Sequence, residues 1–251
     1  MIGDSIIKGL TRYPNVWRKY FGNINCLNFG VGGDRVQHVL WRLKNGELDC
    51  QPKIIVLHCG TNNIGRDPPL EIAEGLLTIV DEISHNCPKT RIIVTGLLPR
   101  DLKPSQFRQL VDDVNKILME NIEFSDEMKN VFFLETEKDW VLDSGMLDES
   151  LYFTDHLHLV EAGDEKFAKA IRNKVDEVLK IVESSKVFFE AWCCGRDISA
   201  FPSRWTLSKK LLLENGYFSE WVFSHALDLM LLCCLIEAIE HLSLFLKKKK
   251  S

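Results

Sequence analysis

Apolar residues gather in four short runs, at 24–29 (INCLNF), 53–58 (KIIVLH), 91–97 (RIIVTGL) and 130–134 (NVFFL). Each run is rich in β-branched or aromatic residues, which predicts strands buried on both faces. Between the runs the apolar positions recur at intervals of three and four. From Leu70 to about Cys87 the stripe is Ile72, Leu76, Ile79, Val80 and Ile83, and Pro88 ends it. Residues 105–121 repeat the pattern with Phe107, Leu110, Val111, Val114, Ile117 and Leu118, and residues 164–182 with Phe167, Ile171, Val175, Val178 and Leu179. Strand and helix alternating in this way predict an α/β fold: a three-layer sandwich around a parallel sheet. Such sheets bind ligands beyond the carboxyl ends of their strands. Gly30–Asp34 follow the first run, Gly60–Asn63 follow the second, and Asp155–His158 precede the last amphipathic helix.

Composition narrows the class only a little. The 251 residues are 45% apolar and 27% charged, which fits a folded protein and excludes a disordered or fibrous one. A net charge of −5 gives no general attraction to nucleic acid or to an anionic membrane. Four of the eight cysteines form the adjacent pairs Cys193-Cys194 and Cys233-Cys234, which do not make a disulfide framework, and no C-x-x-C pairing suggests zinc. The start, Met-Ile-Gly-Asp-Ser, carries no signal-peptide pattern, so a reducing, cytoplasmic setting is expected.

The acidic excess lies in residues 1–184, whereas 185–251 are slightly basic, the first sign of two unlike parts. In the second part Asp228, Glu237, Glu240 and His241 interrupt an apolar stretch at 226–246. Its longest uncharged piece, 229–236, falls well short of the roughly 18 residues of a membrane span. Residues 185–251 therefore read as a helical or poorly ordered extension, with no membrane contact expected.

Several residue groups could carry chemistry. Gly3-Asp4-Ser5 opens a helix, so the Ser5 hydroxyl sits where free amides and the helix dipole favour an oxyanion, although either Asp4 or Ser5 could simply cap the helix. Gly30-Val31-Gly32-Gly33-Asp34 fails the dinucleotide pattern, because Arg35 stands where a third glycine is needed. It is either a turn with Asp34 capping a helix over Val36–Leu43, or a loop in which Gly33 brings its amide close to a ligand oxygen. After the second run, Asn62 and Asn63 are turn formers or donors to a developing oxyanion. Asp155 and His158, three residues apart, can form an oriented pair: the carboxylate accepts from Nδ1, leaving Nε2 to take a proton from a serine. A structural pair, or a metal site including His156, are the alternatives. His38, His58 and His85 fall inside helix or strand patterns and read as structural or surface residues.

Together the blocks G-D-S, G-x-G-G-D, G-T-N-N and D-x-x-H resemble those of the SGNH (GDSL-type) hydrolases, and residues 28–49 are similar to the catalytic subunits of intracellular platelet-activating factor acetylhydrolase. LLPR at 97–100 fits too, and the resemblance extends from Gly3 to about Val182. It implies a flavodoxin-like sheet and a serine esterase or acetylhydrolase acting on small acyl esters of a lipid or carbohydrate. Ser5 would be the nucleophile, His158 the base and Asp155 its orienter; the Ser5 amide, the Gly33 amide and the Asn62 side chain would form the oxyanion hole. No metal or cofactor is required. The family also implies a homo- or heterodimer and a WD-repeat partner. Residues 1–184 would be the hydrolase domain and 185–251 an unmatched extension.

One departure stands out. The family carries a hydrophobic central strand before G-D-S, and here only Met1 and Ile2 precede it. The expectation is a missing first strand, hence a shortened or alternative chain start. A catalytically silent subunit that acts through binding, and a nucleotide-binding flavodoxin-like module, are the competing readings; the second lacks a phosphate motif.

Overall fold

A computed structural model describes residues 1–193, apart from 124, 126, 127, 137 and 138, with side chains described through residue 181. Contacts divide the chain into two units, Met1–Lys180 and Ile181–Ser251. The cysteine pair 233-234 and the apolar stretch 226–246 lie outside the described residues.

Five strands form one parallel sheet: β1 (Ile2–Gly3), β2 (Phe29–Gly30), β3 (Ile54–His58), β4 (Arg91–Thr95) and β5 (Val131–Leu134), in the order β2-β1-β3-β4-β5. The helices are α1 (Ser5–Gly9), α2 (Pro14–Phe21), α3 (Val36–Arg42), α4 (Pro69–Asn86), α5 (Gln106–Glu123) and α6 (Glu161–Cys193). The three long helical stripes of the sequence are therefore α4, α5 and the body of α6. Among the described residues no helix is long and apolar enough to cross a membrane.

The central strand that the sequence was expected to lack is present, as two residues. Ile2 and Gly3 pair with Phe29 and Gly30 on one side and with Leu57 and His58 on the other. The Met1 amine donates to Leu27 O at 2.8 Å, and Phe29 N to Met1 O at 2.8 Å. Short pairing also explains β2. The run 24–29 predicted a longer strand, but a parallel ladder needs a partner, and β1 offers only two residues opposite it.

Alternation along the strands builds the two cores. Ile55, Leu57, Ile92 and Val94 face the layer of α3, α4 and α5, where Val39, Ile72, Leu76, Ile79, Val114 and Leu118 are buried. Val56 and Ile93 face the other layer, packed with Ile6, Ile7, Leu10, Phe21, Phe167 and Ile171. Each fully buried aliphatic side chain contributes about 1.5–3 kcal/mol relative to exposure. The two cores together fix the level at which each strand ends, and so the edge on which the loops stand.

Candidate active site

Ser5 follows β1 directly. Gly3 sits so close to β3 that a Cβ there would lie 2.0 Å from His58 O, so no larger residue fits the strand end. Asp4 caps α1, its Oδ1 accepting from Ile6 N at 2.9 Å, and Ser5 occupies the first turn at the helix N-terminus. Capping by Asp4 and presentation of the Ser5 hydroxyl thus occur together.

Ser5 Oγ lies 2.9 Å from Nε2 of His158, a residue 153 positions away, and His158 Nδ1 lies 2.7 Å from Asp155 Oδ2. The carboxylate also shapes its own loop: Oδ1 accepts from His158 N at 3.0 Å and from Leu157 N at 3.1 Å. Phe153 N to His158 O, at 2.8 Å, closes the loop. Burial would raise the Asp155 carboxyl, but the bonds from the His158 ring and from the His158 and Leu157 amides outweigh it and hold it below its ordinary value. An ionised Asp155 accepts a hydrogen bond from Nδ1–H, which leaves the Nε2 lone pair facing the serine hydroxyl.

Gly33 lies in the turn after β2 with φ of +81°, a backbone conformation that favours glycine, and no atom stands within 4 Å of where its Cβ would be. Asn62 lies after β3 and donates through Nδ2 to Asp34 O at 2.8 Å. One amide hydrogen is thereby fixed and the second is left for another acceptor. Gly33 and Asn62 are thus tied together through Asp34, in the loops that follow the two strands flanking β1. Val31 N donates to Gly3 O at 3.0 Å, tying the turn to the strand that carries Ser5.

Two residues build this frame: Arg42, which sequence reasoning passed over, and Asn63, which it read as a turn former or oxyanion donor. Arg42, at the end of α3, bonds Asp34 Oδ2 through Nε at 2.9 Å, Gly3 O through Nη2 at 3.3 Å, and Glu47 through Nη1. It reads in the sequence as an ordinary helix-surface arginine, eight positions from its partner. Asn63, not Asp34, caps α3: its Oδ1 accepts from Val36 N at 3.0 Å. The Asp34 carboxylate is committed to Arg42 instead. Arg100 of LLPR anchors the β3 loop by donating to Thr61 O at 3.0 Å.

His156 and His158, weighed above as metal ligands, diverge. His156 Nε2 faces Glu149 Oε1 at 3.4 Å, while His158 faces Ser5. Among the described residues no group of three or more His, Cys, Asp or Glu side chains could share an ion. His58 is buried against Thr95 Oγ1 at 2.6 Å, and His38 and His85 lie at the surface, in keeping with their structural reading.

The sheet order and the site at its carboxyl edge define a three-layer α/β hydrolase of the SGNH type. The chain belongs to the GDSL-like lipase/acylhydrolase family, which it matches over residues 1–166, and is a carboxylic ester hydrolase. It is 38% identical over 186 residues to the platelet-activating factor acetylhydrolase IB subunit alpha2 of Homo sapiens, covering 74% of this chain and 79% of that protein. Against the alpha1 subunit of Homo sapiens the identity is 35% over 173 residues, 68% of this chain and 72% of that one. Among solved structures, an acylhydrolase from Bacteroides fragilis described as putative superposes with a TM-score of 0.60 at 19% identity, covering 71% of this chain and 86% of the other.

Proposed function

We propose that the protein cleaves small acyl esters, acetyl foremost, of a lipid or carbohydrate alcohol through an acyl-enzyme on Ser5. The observation that carries this reading is the continuous chain from Ser5 Oγ through His158 to Asp155, with links of 2.9 and 2.7 Å. His158 Nε2 takes the Ser5 proton as Oγ attacks the ester carbonyl. The Ser5 amide, the Gly33 amide and the free hydrogen of Asn62 Nδ2 receive the tetrahedral oxyanion, each such donor being worth about 2.7–4 kcal/mol in the transition state. His158 then protonates the departing alkoxide, and water, activated by the same imidazole, releases the acid. Asp155 keeps the ring oriented and stabilises its protonated form. The preference for acetyl draws on the names of the relatives; dimer formation, a WD-repeat partner, a cytoplasmic setting and a hydrolase domain ending near residue 184 belong to the same proposal.

Labelling with a fluorophosphonate probe, together with p-nitrophenyl acetate turnover, tests the reading. The parent protein labels and turns over, and Ser5→Ala loses the label and at least about 10³-fold in kcat. Labelling that survives in Ser5→Ala would move the nucleophile elsewhere, and a parent protein that neither labels nor turns over would leave a catalytically silent subunit.

A further inference from the structure

Beside Ser5 lies a hollow of about 360 Å³ whose wall includes Lys8, Gly9, Arg12, Gly32 and His158. Two of these residues are cations, and no Asp or Glu lines it. Local folding places them there. After α1 the chain tightens into turns of the three-residue kind, with Thr11 N to Lys8 O at 3.4 Å and Arg12 N to Gly9 O at 2.7 Å. Lys8 and Arg12 therefore follow Ser5 along one flank, with Gly9 and Thr11 between them in the wall.

Arg12 is held in place from the loop that carries His158. Nη1 donates to Leu159 O at 3.0 Å, and the guanidinium stands 5.1 Å from the centre of the Phe153 ring. Lys8 is exposed and forms no ion pair among the described residues. Asp164 is the acidic neighbour of Arg12, but burial pushes its carboxyl up to about 7 against the pull of Arg12, so at neutral pH it offsets the guanidinium only in part.

The position of the hollow says which half of an ester would meet these charges. His158 must return its proton to the departing alkoxide, so the alcohol lies on the imidazole side of Ser5. The hollow borders Ser5 and His158; Asn62 is not part of its wall, although Gly32, next to Gly33 in the turn after β2, is. We infer that Lys8 and Arg12 form a subsite for an anionic group, carboxylate or phosphate, on the alcohol portion of the substrate. The inference rests on the acyl-enzyme reading above and adds to it the charge of the substrate.

Matched acetyl esters test it on the full-length protein: methyl 4-acetoxybenzoate, which is neutral, 4-acetoxybenzoate, which carries a carboxylate, and 4-acetoxyphenyl phosphate. At partly screened distances of a few ångströms one cation is worth about 1 kcal/mol or more, or roughly a fivefold preference. The anionic-to-neutral ratio of kcat/KM in Lys8→Gln should fall about fivefold, and in Lys8→Glu further, mainly through KM. Arg12→Gln should do the same and Arg12→Lys should recover part of the ratio, since the charge returns without the guanidinium anchors. Added salt should lower the ratio in the parent and change it little in Lys8→Glu. A larger response with the phosphate ester than with the carboxylate ester assigns the subsite to phosphate, and the reverse to carboxylate. Ratios unchanged in every variant, with Ser5-dependent hydrolysis intact, overturn the subsite and leave the acyl-enzyme standing. Absence of Ser5-dependent hydrolysis of all three esters overturns both.

Discussion

Asp155 is about half exposed, with 49% of its side chain in contact with solvent, so its attraction for the His158 ring is screened and its contribution is chiefly one of direction. Four bonds converge on it and on the loop it closes, and its carboxyl stays ionised below the ordinary carboxylate range. Replacing it by Asn keeps the size and can keep the bonds from the two amides, but offers Nδ1 either a donor or a neutral acceptor. The imidazole then loses the anion that favours the reactive tautomer and stabilises the protonated ring. For Asp155→Asn we expect kcat on p-nitrophenyl acetate to fall by about 10²–10⁴ with KM within a factor of a few. Steady-state kinetics decide this, and a KM effect without a kcat effect would remove Asp155 from the orienting role. This pair was legible in the sequence because three-residue spacing brings a carboxylate to an imidazole. The partner serine, 153 positions away, was reached through the argument that strand ends share an edge and through the resemblance carried by the G-D-S block.

At the scale of elements, three loops must hold their places relative to β1, and one arginine spans them. Arg42 joins the carboxylate after Gly33 to the carbonyl before Asp4, and the backbone of the same Asp34 holds the Asn62 amide. Arg42→Ala leaves the carboxylates of Asp34 and Glu47, both mostly buried, without their cation, a loss that in buried pairs reaches about 3–5 kcal/mol. The variant should melt earlier than the parent. If the frame positions the oxyanion donors, kcat should fall about tenfold or more at temperatures where the variant is fully folded, and Arg42→Lys should recover stability better than kcat, because an ammonium cannot reproduce the fork to Asp34 and Gly3. Equal recovery of both would reduce Arg42 to a structural tie. None of this was readable from the sequence, since a side chain that bridges three elements leaves no periodic trace. The strands and long helices were readable because burial on both sides of a sheet imposes uninterrupted apolar runs, and burial on one side of a helix imposes a stripe. The lengths of β1 and β2 were not, because a strand extends only as far as its neighbour does, and the run 24–29 carries no record of how much chain stands opposite. The cap of α3 went to Asn63 over Asp34 for the same kind of reason: a residue from another loop outcompeted the local one.

For the molecule as a whole, the site carries a burden that should show in its pH dependence. Asp4 is wholly buried under Ser5; its Oδ1 is satisfied by Ile6 N, but its Oδ2 has no partner, and burial raises the carboxyl to about 7, with the nearby Asp34 adding to the rise and the Ile6 bond opposing it. In the folded chain the proton is held up to about pH 7, whereas the unfolded chain gives it up near the ordinary carboxyl value. The contribution of Asp4 to stability is therefore fully present below about pH 4 and is lost as pH rises towards about 7. Asp164, also raised to about 7, acts in the same direction. His58 acts in the opposite one: burial lowers its ring to about 4, so its share is present above about pH 6.5 and disappears as pH falls towards 4. Asp4→Asn isolates the first of these, since asparagine caps a helix about as well as aspartate and cannot ionise. Urea unfolding of parent and variant at a series of pH values from 4.5 to 7.5 cancels the Asp164 and His58 contributions, which are common to both chains. The variant should gain on the parent as pH rises through this window, by of order a few kcal/mol in all. A difference that stays constant with pH would mean that the Asp4 carboxyl is already ionised beneath the nucleophile at pH 4.5, and that the fold tolerates a second buried anion beside Asp34.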